Sequence, residues 1–174
     1  MRTALMDLAE VYLRKGGYNA FSFGDLAREM KITTATVHYY FPSKADLVVA
    51  IIERHTERLL AFVATATDGD RPVLDVYKAH FRRAIADNDQ MCVAGVLAVE
   101  ADGLPEKVLK QARVFFDCCV GDLSRRLRER DAERQAIHII ATLEGAQLLA
   151  RAFGDLDTFD RAAACLEYET NQRK

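Results

Sequence analysis

The apolar residues of this 174-residue chain recur every three to four positions, and no stretch alternates apolar and polar residues as a β-strand would. One face of the first segment carries Leu5, Leu8, Ala9, Tyr12 and Leu13, and the pattern stops at Gly16-Gly17 as helices stop at glycine. Half of the residues are apolar and only three are proline, which is typical of a folded helical protein. We therefore predict an all-α protein of about nine helices.

The N-terminal part has the pattern of a small three-helix domain. Two short helices are predicted at about 22–31 and 34–40, between the first helix and a long one at about 44–67. The apolar residues spaced to face the first helix are Leu26, Ala27, Met30, Ile32, Val37 and Phe41. We predict an N-terminal helix-turn-helix domain over residues 1–47 and a larger C-terminal helical bundle over residues 48–174.

Charge and hydropathy narrow the class of protein. The net charge is −2, so the whole chain is not a polycation of the kind that coats nucleic acid. Residues 1–60 hold eight Lys/Arg against seven Asp/Glu, and residues 61–174 hold sixteen against nineteen, the asymmetry expected if DNA meets the N-terminal part. The apolar run Met91–Val99 is too short to cross a membrane, and the start MRTALMDLAEV lacks a signal peptide's apolar core. We expect a cytoplasmic protein with no membrane partner.

The sequence offers no motif for catalysis or metal binding. It has no HExxH, no glycine-rich phosphate loop and no nucleophile elbow, and its four histidines lack metal-ligand spacing. The cysteines form no CxxC pair and are expected to be free thiols: Cys92, Cys118, Cys119 and Cys165. We predict that the protein is not an enzyme and uses no metal and no cofactor.

Hydroxyl residues precede the helices of the predicted helix-turn-helix. Ser22 stands three residues before Asp25 and Ser43 three before Asp46, the spacing of a capping box, and Thr33 is placed to cap the helix between them. The residues left exposed on that helix are Thr34, Ala35, Thr36, His38, Tyr39 and, in part, Tyr40. Small and hydroxyl-bearing residues suit a helix that approaches DNA. From the residues alone, a helical hairpin with surface hydroxyls and packed aromatic rings fits equally.

A set of residues between Leu5 and Leu47 favours the DNA-binding interpretation. The set comprises Gly16-Gly17-Tyr18, Ser22, Asp25-Leu26-Ala27, Ile32-Thr33, Thr36, Tyr40-Phe41, Ser43-Lys44 and Leu47. With these residues the segment resembles the DNA-binding domain of the tetracycline-repressor (TetR/AcrR) family of bacterial transcriptional regulators. The resemblance covers about a quarter of the chain without gaps.

The resemblance implies roles for individual residues. Ser22 and Lys44 would contact phosphates. Tyr40 is a further DNA-binding candidate whose ring also fits the core. The residues implied to face the groove are Thr33, Thr34, Ala35, Thr36 and Tyr39, with base contacts from Thr34, Ala35 and Tyr39.

Two residues depart from the family pattern. Lys31 replaces the glycine usual at the turn, where a positive φ is often needed, so we expect mild backbone strain at this position. His38 replaces the usual phosphate-binding tyrosine, and a histidine can still donate a hydrogen bond to phosphate.

For the larger bundle the resemblance implies a regulatory domain that binds a small ligand and forms the dimer. Helix 133–153 supports dimerisation independently, because it is apolar on nearly every side and must be covered on all of them. The candidate interface residues are Ile139, Leu143, Ala146, Leu149 and Phe153. A central buried helix in a monomer fits the same pattern.

Ten residues on inward-facing stripes are candidates for the ligand pocket. They are Phe62, Tyr77, Phe81, Met91, Cys92, Val96, Phe115, Phe116, Cys119 and His138. Such residues at helical spacing fit a plain core as well as a pocket. Cys92 fits either a thiol that senses oxidants or electrophiles or a free buried cysteine. Glu100 and Glu144 are predicted in apolar helices. Either they pair with arginine or one of them accepts a polar ligand group, and no spacing selects between these options.

These patterns predict a homodimeric repressor that binds a palindromic operator in double-stranded DNA and is released by a small-molecule effector. Ligand binding in the bundle would move helix 44–67 and change the spacing between the two copies of helix 34–40 in the dimer. The alternative, from another class, is a dimeric helical carrier or interaction module with weak or lost DNA binding.

Overall fold

The computed structural model describes residues 1–68, 71–86, 91–127 and 130–171, with side chains to residue 166. Within these ranges the chain forms nine α-helices and no strand, which confirms the predicted all-α fold. The helices are α1 Arg2–Gly16, α2 Phe23–Glu29, α3 Thr34–Tyr40, α4 Lys44–Thr67, α5 Val73–Ala86, α6 Val93–Val99, α7 Glu106–Leu127, α8 Ala132–Phe153 and α9 Leu156–Asn171. Two short 3₁₀ turns, at Tyr18–Ala20 and Ala101–Gly103, follow α1 and α6.

The chain divides into two compact units. The first comprises Met1–Glu57 and Val93–Phe115, so it holds α1 to α3, the first half of α4, α6 and the first half of α7. Its core is formed by fully buried side chains from these helices: Leu5, Leu13, Leu26, Val37, Leu47, Ile51, Leu97 and Phe115. The first unit therefore includes a segment that lies far outside the N-terminal residues in sequence.

The second unit comprises Arg58–Cys92 and Phe116–Lys174. In it α8 packs against both α9 and α5, and α5 also packs against α9. The large side chains that fill this core are Tyr77, Phe81, Leu123, Leu143 and Phe159. The apolar stripe of α5 and the inner side of α8 thus meet in one core.

A partly buried charge network links helix α1 to helix α4 in the first unit. Glu10 accepts hydrogen bonds from Arg14 Nη2 at 2.7 Å and from Arg54 Nη2 at 2.8 Å. Arg54 also pairs with Asp7 at 2.7 Å, and Arg14 donates to His55 Nδ1 at 3.2 Å. Burial raises the pKa of Glu10, but the charges and hydrogen bonds of the two arginines outweigh it, so the pKa lies below the usual range. Glu10 is therefore ionised and fully paired.

The turn after α1 makes a close contact with the residue that follows α6. Gly17 has a φ of 78°, in the left-handed region that favours glycine. A Cβ atom at this position would lie 1.9 Å from Glu100 Oε1, so there is no room for a side chain. The Tyr18 backbone N–H donates to Glu100 Oε2 at 2.7 Å. Glu100 thus has a role that the sequence did not indicate, because its carboxylate accepts a hydrogen bond from the backbone.

Candidate nucleic-acid interface

Ser22 caps α2 in the predicted capping box. The Asp25 backbone N–H donates to Ser22 Oγ at 3.2 Å, and the Ser22 N–H donates to Asp25 Oδ2 at 2.9 Å. The Ser22 hydroxyl also donates to Asp25 Oδ2 at 2.6 Å, which lowers the pKa of that carboxyl. Ser22 is exposed, so its oxygen sits at the surface beside the first turn of α2.

The turn between α2 and α3 is fixed by a strained residue and a cap. Lys31 has a φ of 55°, the one non-glycine residue with positive φ in the described chain, as its place at the turn predicts. Thr33 then caps α3, because its Oγ1 accepts the Thr36 backbone N–H at 3.1 Å. The Thr33 and Thr36 hydroxyls lie 2.9 Å apart and hydrogen-bond to each other. Strain at one residue and a cap two residues later set the direction in which α3 leaves the turn.

Almost all side chains of α3 lie outside the core of the first unit. Within this helix only Val37 is buried. Thr34, Ala35 and His38 are exposed, and Tyr39 is 81% exposed, with its ring edge-on to Tyr40 at 5.1 Å. A tyrosine ring so exposed is largely open to solvent, together with its hydroxyl. Thr36 and Tyr40 are partly exposed.

His38 and Lys44 are held by aromatic rings. His38 lies edge-on to Phe23 at 4.9 Å, and its Nδ1 is 3.3 Å from the Pro42 carbonyl oxygen. A carbonyl only accepts, so Nδ1 carries the hydrogen here. Lys44 Nζ lies 4.6 Å from the ring centroids of Tyr18 and Phe21.

The ammonium group of Lys44 is only partly used by these contacts. Its Nζ donates to the Phe21 carbonyl oxygen, which leaves two N–H groups for another acceptor. Partial burial lowers the pKa of Lys44, and the charges of Asp25 and Glu100 act in the opposite direction. Lys44 is therefore an oriented cation at the start of α4.

The N-terminus of α4 is tied to α7 within the first unit. Ser43 Oγ accepts the Asp46 N–H at 3.2 Å and donates to Asp46 Oδ2 at 2.6 Å, the second predicted capping arrangement. Lys107 Nζ donates to Asp46 Oδ1 and, at 3.2 Å, to Ser43 Oγ. The hydrogen bonds from Lys107 and Ser43 lower the pKa of Asp46. Sequence reasoning missed Lys107, because nothing at position 107 indicates a contact sixty residues away.

Four of the ten pocket candidates come together in the core of the second unit. Tyr77, Phe81, Cys92 and Cys119 are buried. The Tyr77 hydroxyl lies 3.3 Å from the Cys119 carbonyl oxygen. Gln147 links two others, because its Nε2 donates to the Phe81 carbonyl at 2.7 Å and its Oε1 accepts the Cys92 N–H at 2.9 Å.

The remaining pocket candidates have other surroundings. Val96 and Phe115 belong to the first unit, where the Phe115 ring stacks on His55 at 5.2 Å. Met91 is buried, Phe62 and Phe116 are partly exposed, and His138 is exposed on α8. Phe62 lies 5.8 Å from the ring of His80. The exposure of His138 separates it from the buried group.

Two buried polar residues of the second unit were not singled out from the sequence. Asp122 Oδ2 accepts the Tyr77 hydroxyl at 3.1 Å, and both Asp122 oxygens accept Arg126 Nε at 3.0 Å. Burial, and then the charges of Cys119 and Asp122, raise the pKa of Tyr77 far above its usual range. Gln147 is the second of these buried polar residues. Both could have been found from the sequence, because each is a polar residue on an otherwise apolar stripe of its helix.

The five interface candidates on α8 face different ways. Ile139, Leu143 and Ala146 are buried within their own chain. Leu149 is 46% exposed and Phe153 68% exposed, so these two are free to meet a partner. Along α8 the exposed or partly exposed positions at intervals of four are Ile137, Ala141, Gly145, Leu149 and Phe153. A Cβ added to Gly145 would have no atom within 4 Å, so the middle of this stripe is open.

The described residues hold no group of three or more His, Cys, Asp or Glu side chains able to bind a metal ion. Among the helices searched in the same ranges, none is long and apolar enough to span a membrane. All four cysteines are free thiols.

Two family models match the chain. Residues 5–51 match the bacterial regulatory proteins of the tetR family, and residues 72–165 match the C-terminal domain of LmrA/YxaF-like transcriptional regulators. An uncharacterized HTH-type transcriptional regulator in the lacX 3′ region of Lactococcus lactis subsp. lactis is 25% identical over 175 residues, covering 90% of this chain and 86% of that protein.

Solved structures of transcriptional regulators share the whole fold. A TetR-family regulator from Agrobacterium tumefaciens is 30% identical with a TM-score of 0.88, and the match covers 96% of each chain. A TetR regulator from Legionella pneumophila is also 30% identical, with a TM-score of 0.87 and 95% of each chain covered.

Proposed function

We propose that this chain, which belongs to the TetR family of bacterial transcriptional regulators, is a homodimeric repressor that binds a palindromic operator and is released by a small-molecule inducer. The observation that carries the proposal is the exposure of α3, where a tyrosine and small hydroxyl-bearing residues face outward from a rigidly capped helix. Such a helix fits the major groove of DNA.

The position of each side chain supports a set of proposed DNA contacts. Thr34, Ala35 and Tyr39 would read base edges, because they are exposed on one short helix. Ser22 and Lys44 would bind phosphates, since an exposed hydroxyl and an ammonium group with two unused N–H groups suit phosphate oxygens. The remaining residues proposed at the interface are Thr33, Thr36, His38 and Tyr40.

The stripe on α8 supports the dimer. Leu149 and Phe153 are large apolar side chains left exposed, and Gly145 lies between them and Ile137 with open space above it. A second copy of α8 crossing at Gly145 would cover them. Two copies of α3 would then meet successive major grooves about 34 Å apart, which predicts an operator with two-fold symmetry.

The core of the second unit supports the ligand site. Tyr77, Phe81, Cys92 and Cys119 bring aromatic, thiol and hydroxyl groups together there. An inducer that binds one arrangement of the helices more tightly than another would lower operator affinity by that difference.

A salt titration of binding to duplex DNA tests the regulator. Operator affinity should exceed random-sequence affinity by about a thousandfold or more and fall steeply with salt. Tyr39→Ala should lower the specific affinity about tenfold or more without changing the melting temperature. Val99→Ala is the matched control, because Val99 is 80% exposed and lies outside α3. Salt-sensitive binding without sequence preference would refute the regulator and favour the dimeric carrier.

The oligomeric state tests the dimer. Phe153→Arg or Leu149→Arg should convert the dimer to monomer in analytical ultracentrifugation, because a charge would enter the apolar stripe. Leu109→Arg is the control, since Leu109 is 38% exposed on α7. A dimer that survives both changes on α8 would place the interface elsewhere.

A further inference from the structure

We propose that Glu144 is the polar anchor of the effector site and that the effector is an organic cation carrying an N–H group on an apolar body. The inference rests on the proposed function, because it assigns the chemistry of the inducer that this function requires. It also resolves the two roles that the sequence allowed for Glu144.

Glu144 Oε1 is shielded from solvent and has no hydrogen-bond partner. The residue as a whole is partly exposed, so the shielding applies to the carboxylate end. Gln147, one helical turn further along α8, has both ends of its amide satisfied, by the Cys92 N–H and the Phe81 carbonyl. Because buried polar atoms are almost always paired, an unpaired carboxylate oxygen in this core indicates a missing donor.

The groups facing Glu144 come from two other parts of the second unit. The Cys92 side chain, just before α6, hydrogen-bonds to the carboxyl and lowers its pKa, but burial outweighs this and raises it to about 7. On α7, burial and then the charge of Glu144 raise the pKa of Cys119 well above its usual range. No Lys, Arg or His among the described residues shifts the pKa of Glu144. Within the described ranges the carboxylate is therefore paired with no cation.

A cation satisfies this site better than an anion or a neutral donor. In its ionised form Glu144 repels an anion, and hydrogen bonds that involve an ionised group are about twice as strong as those between neutral groups. The apolar body of the ligand is required by the surroundings, because α5 packs on α8 with Tyr77 and Phe81 buried along its inner side. An amine attached to an aromatic or aliphatic body meets both conditions.

Calorimetric titration with two matched probes tests the anchor. 4-Phenylbutylamine and 4-phenylbutan-1-ol share the same apolar body and differ in the charged group. The amine should bind the wild-type protein about tenfold more tightly than the alcohol. Glu144→Gln, which keeps the shape and removes the charge, should abolish this difference, whereas Glu133→Gln should retain it. Glu133 is the matched control because it is an exposed glutamate on the same helix.

Several outcomes would overturn the proposal: no amine binding at millimolar concentration, equal binding of the two probes, or an amine preference that survives Glu144→Gln. A crystal structure of the wild-type protein with the amine gives a test that does not depend on the variant folding. The ammonium nitrogen should lie about 3 Å from Glu144 Oε1, and any other position contradicts the assignment.

Operator binding separates this inference from the proposed function. The amine should weaken operator binding by the wild-type protein and leave that of Glu144→Gln unchanged. Amine binding without release of DNA would refute the effector role. Failure to bind any operator without the amine would count against the proposed repressor alone, because the calorimetric result does not depend on DNA.

Discussion

Glu10 in the first unit and Glu144 in the second are both shielded carboxylates on long helices, yet their environments are opposite. Glu10 is held by Arg14 and Arg54, and its pKa is lowered. Glu144 is met by a thiol, and burial raises its pKa to about 7. Glu10 is therefore met by two cations from its own unit, whereas Glu144 Oε1 accepts no hydrogen bond from the described residues.

The largest expected effect comes from breaking the satisfied pair. Arg54→Met removes one of the two cations on Glu10 and leaves a carboxylate in a site with little access to water. Arg14 stays on Glu10, but the variant loses the Arg54 contacts with both Glu10 and Asp7. Because a hydrogen bond to a charged group contributes about 1.5–3 kcal/mol, we expect a loss of about 3 kcal/mol in the free energy of unfolding. Urea denaturation measures it.

A surface pair on the same unit provides the control for Arg54→Met. Arg28 pairs with Asp25 at 3.0 Å, but its side chain is 79% exposed. Arg28→Ala should leave the urea midpoint unchanged, because exposed pairs contribute little. Equal losses in the free energy of unfolding for the two variants would contradict a larger contribution from the shielded pair than from the exposed one.

The titration of Glu144 should contribute to the pH dependence of the free energy of unfolding. Folded Glu144 keeps its proton up to about pH 7, whereas the unfolded chain releases it near the ordinary value of 4.5. Between these values the folded state binds more protons, so its stability falls as pH rises. We expect a loss of about 2 kcal/mol from pH 5 to pH 8, less than the full shift implies because the residue is partly exposed.

The measurement is a difference between wild type and Glu144→Gln at fixed protein concentration. Glutamine does not titrate, so the variant should lack this part of the pH dependence, and the two free energies of unfolding should converge at low pH. Parallel pH profiles for the two proteins would show that Glu144 titrates as an ordinary surface carboxyl.

The sequence does not predict the surroundings of the glutamates that it places in apolar helices. The sequence predicts both Glu100 and Glu144 in apolar helices, and helical periodicity places neither against a partner on a distant segment. Glu100 accepts the Tyr18 N–H across 82 residues of sequence, and Glu144 Oε1 accepts nothing. Pairings of this kind depend on tertiary packing, which local patterns do not encode.

A smaller effect is expected at the cap of α3. Thr33→Val removes the oxygen that accepts the Thr36 N–H, so the free energy of unfolding should fall by about 1 kcal/mol. Thr34→Val makes the same change one residue later and leaves the cap intact. Thermal denaturation of the two variants should differ accordingly, and equal melting temperatures would mean that the cap does not stabilise α3.

The smallest expected effect has the opposite sign. Lys31→Gly relieves a left-handed backbone, so it should stabilise the first unit by about 0.5 kcal/mol. Arg28→Gly, on the exposed side of α2, should instead destabilise it by about 1 kcal/mol. Urea denaturation with both variants tests whether glycine acts through the local φ. Destabilisation by Lys31→Gly would contradict the claim that the positive φ of Lys31 strains the backbone.

The local features were the predictable ones. The caps at Ser22, Thr33 and Ser43 depend on residues three positions apart in the chain. The positive φ of Lys31 was expected from the resemblance, because the family usually has glycine at this turn. The pocket and the α8 stripe were less accessible, because a helix that is apolar all round does not reveal which side its own chain covers. Exposure in the folded chain separates Leu149 and Phe153 from their buried neighbours.

The contact between Gly17 and Glu100 matters for anyone who recombines sensors and promoters. A hybrid regulator made by joining residues 1–47 to a foreign sensor would lose the carboxylate that holds the Tyr18 N–H and the Lys107 ammonium that holds Ser43 and Asp46. A glutamate-sized gap would open beside a glycine that has no side chain to fill it. Working hybrids of this protein should therefore carry residues 93–115 together with the N-terminal helices.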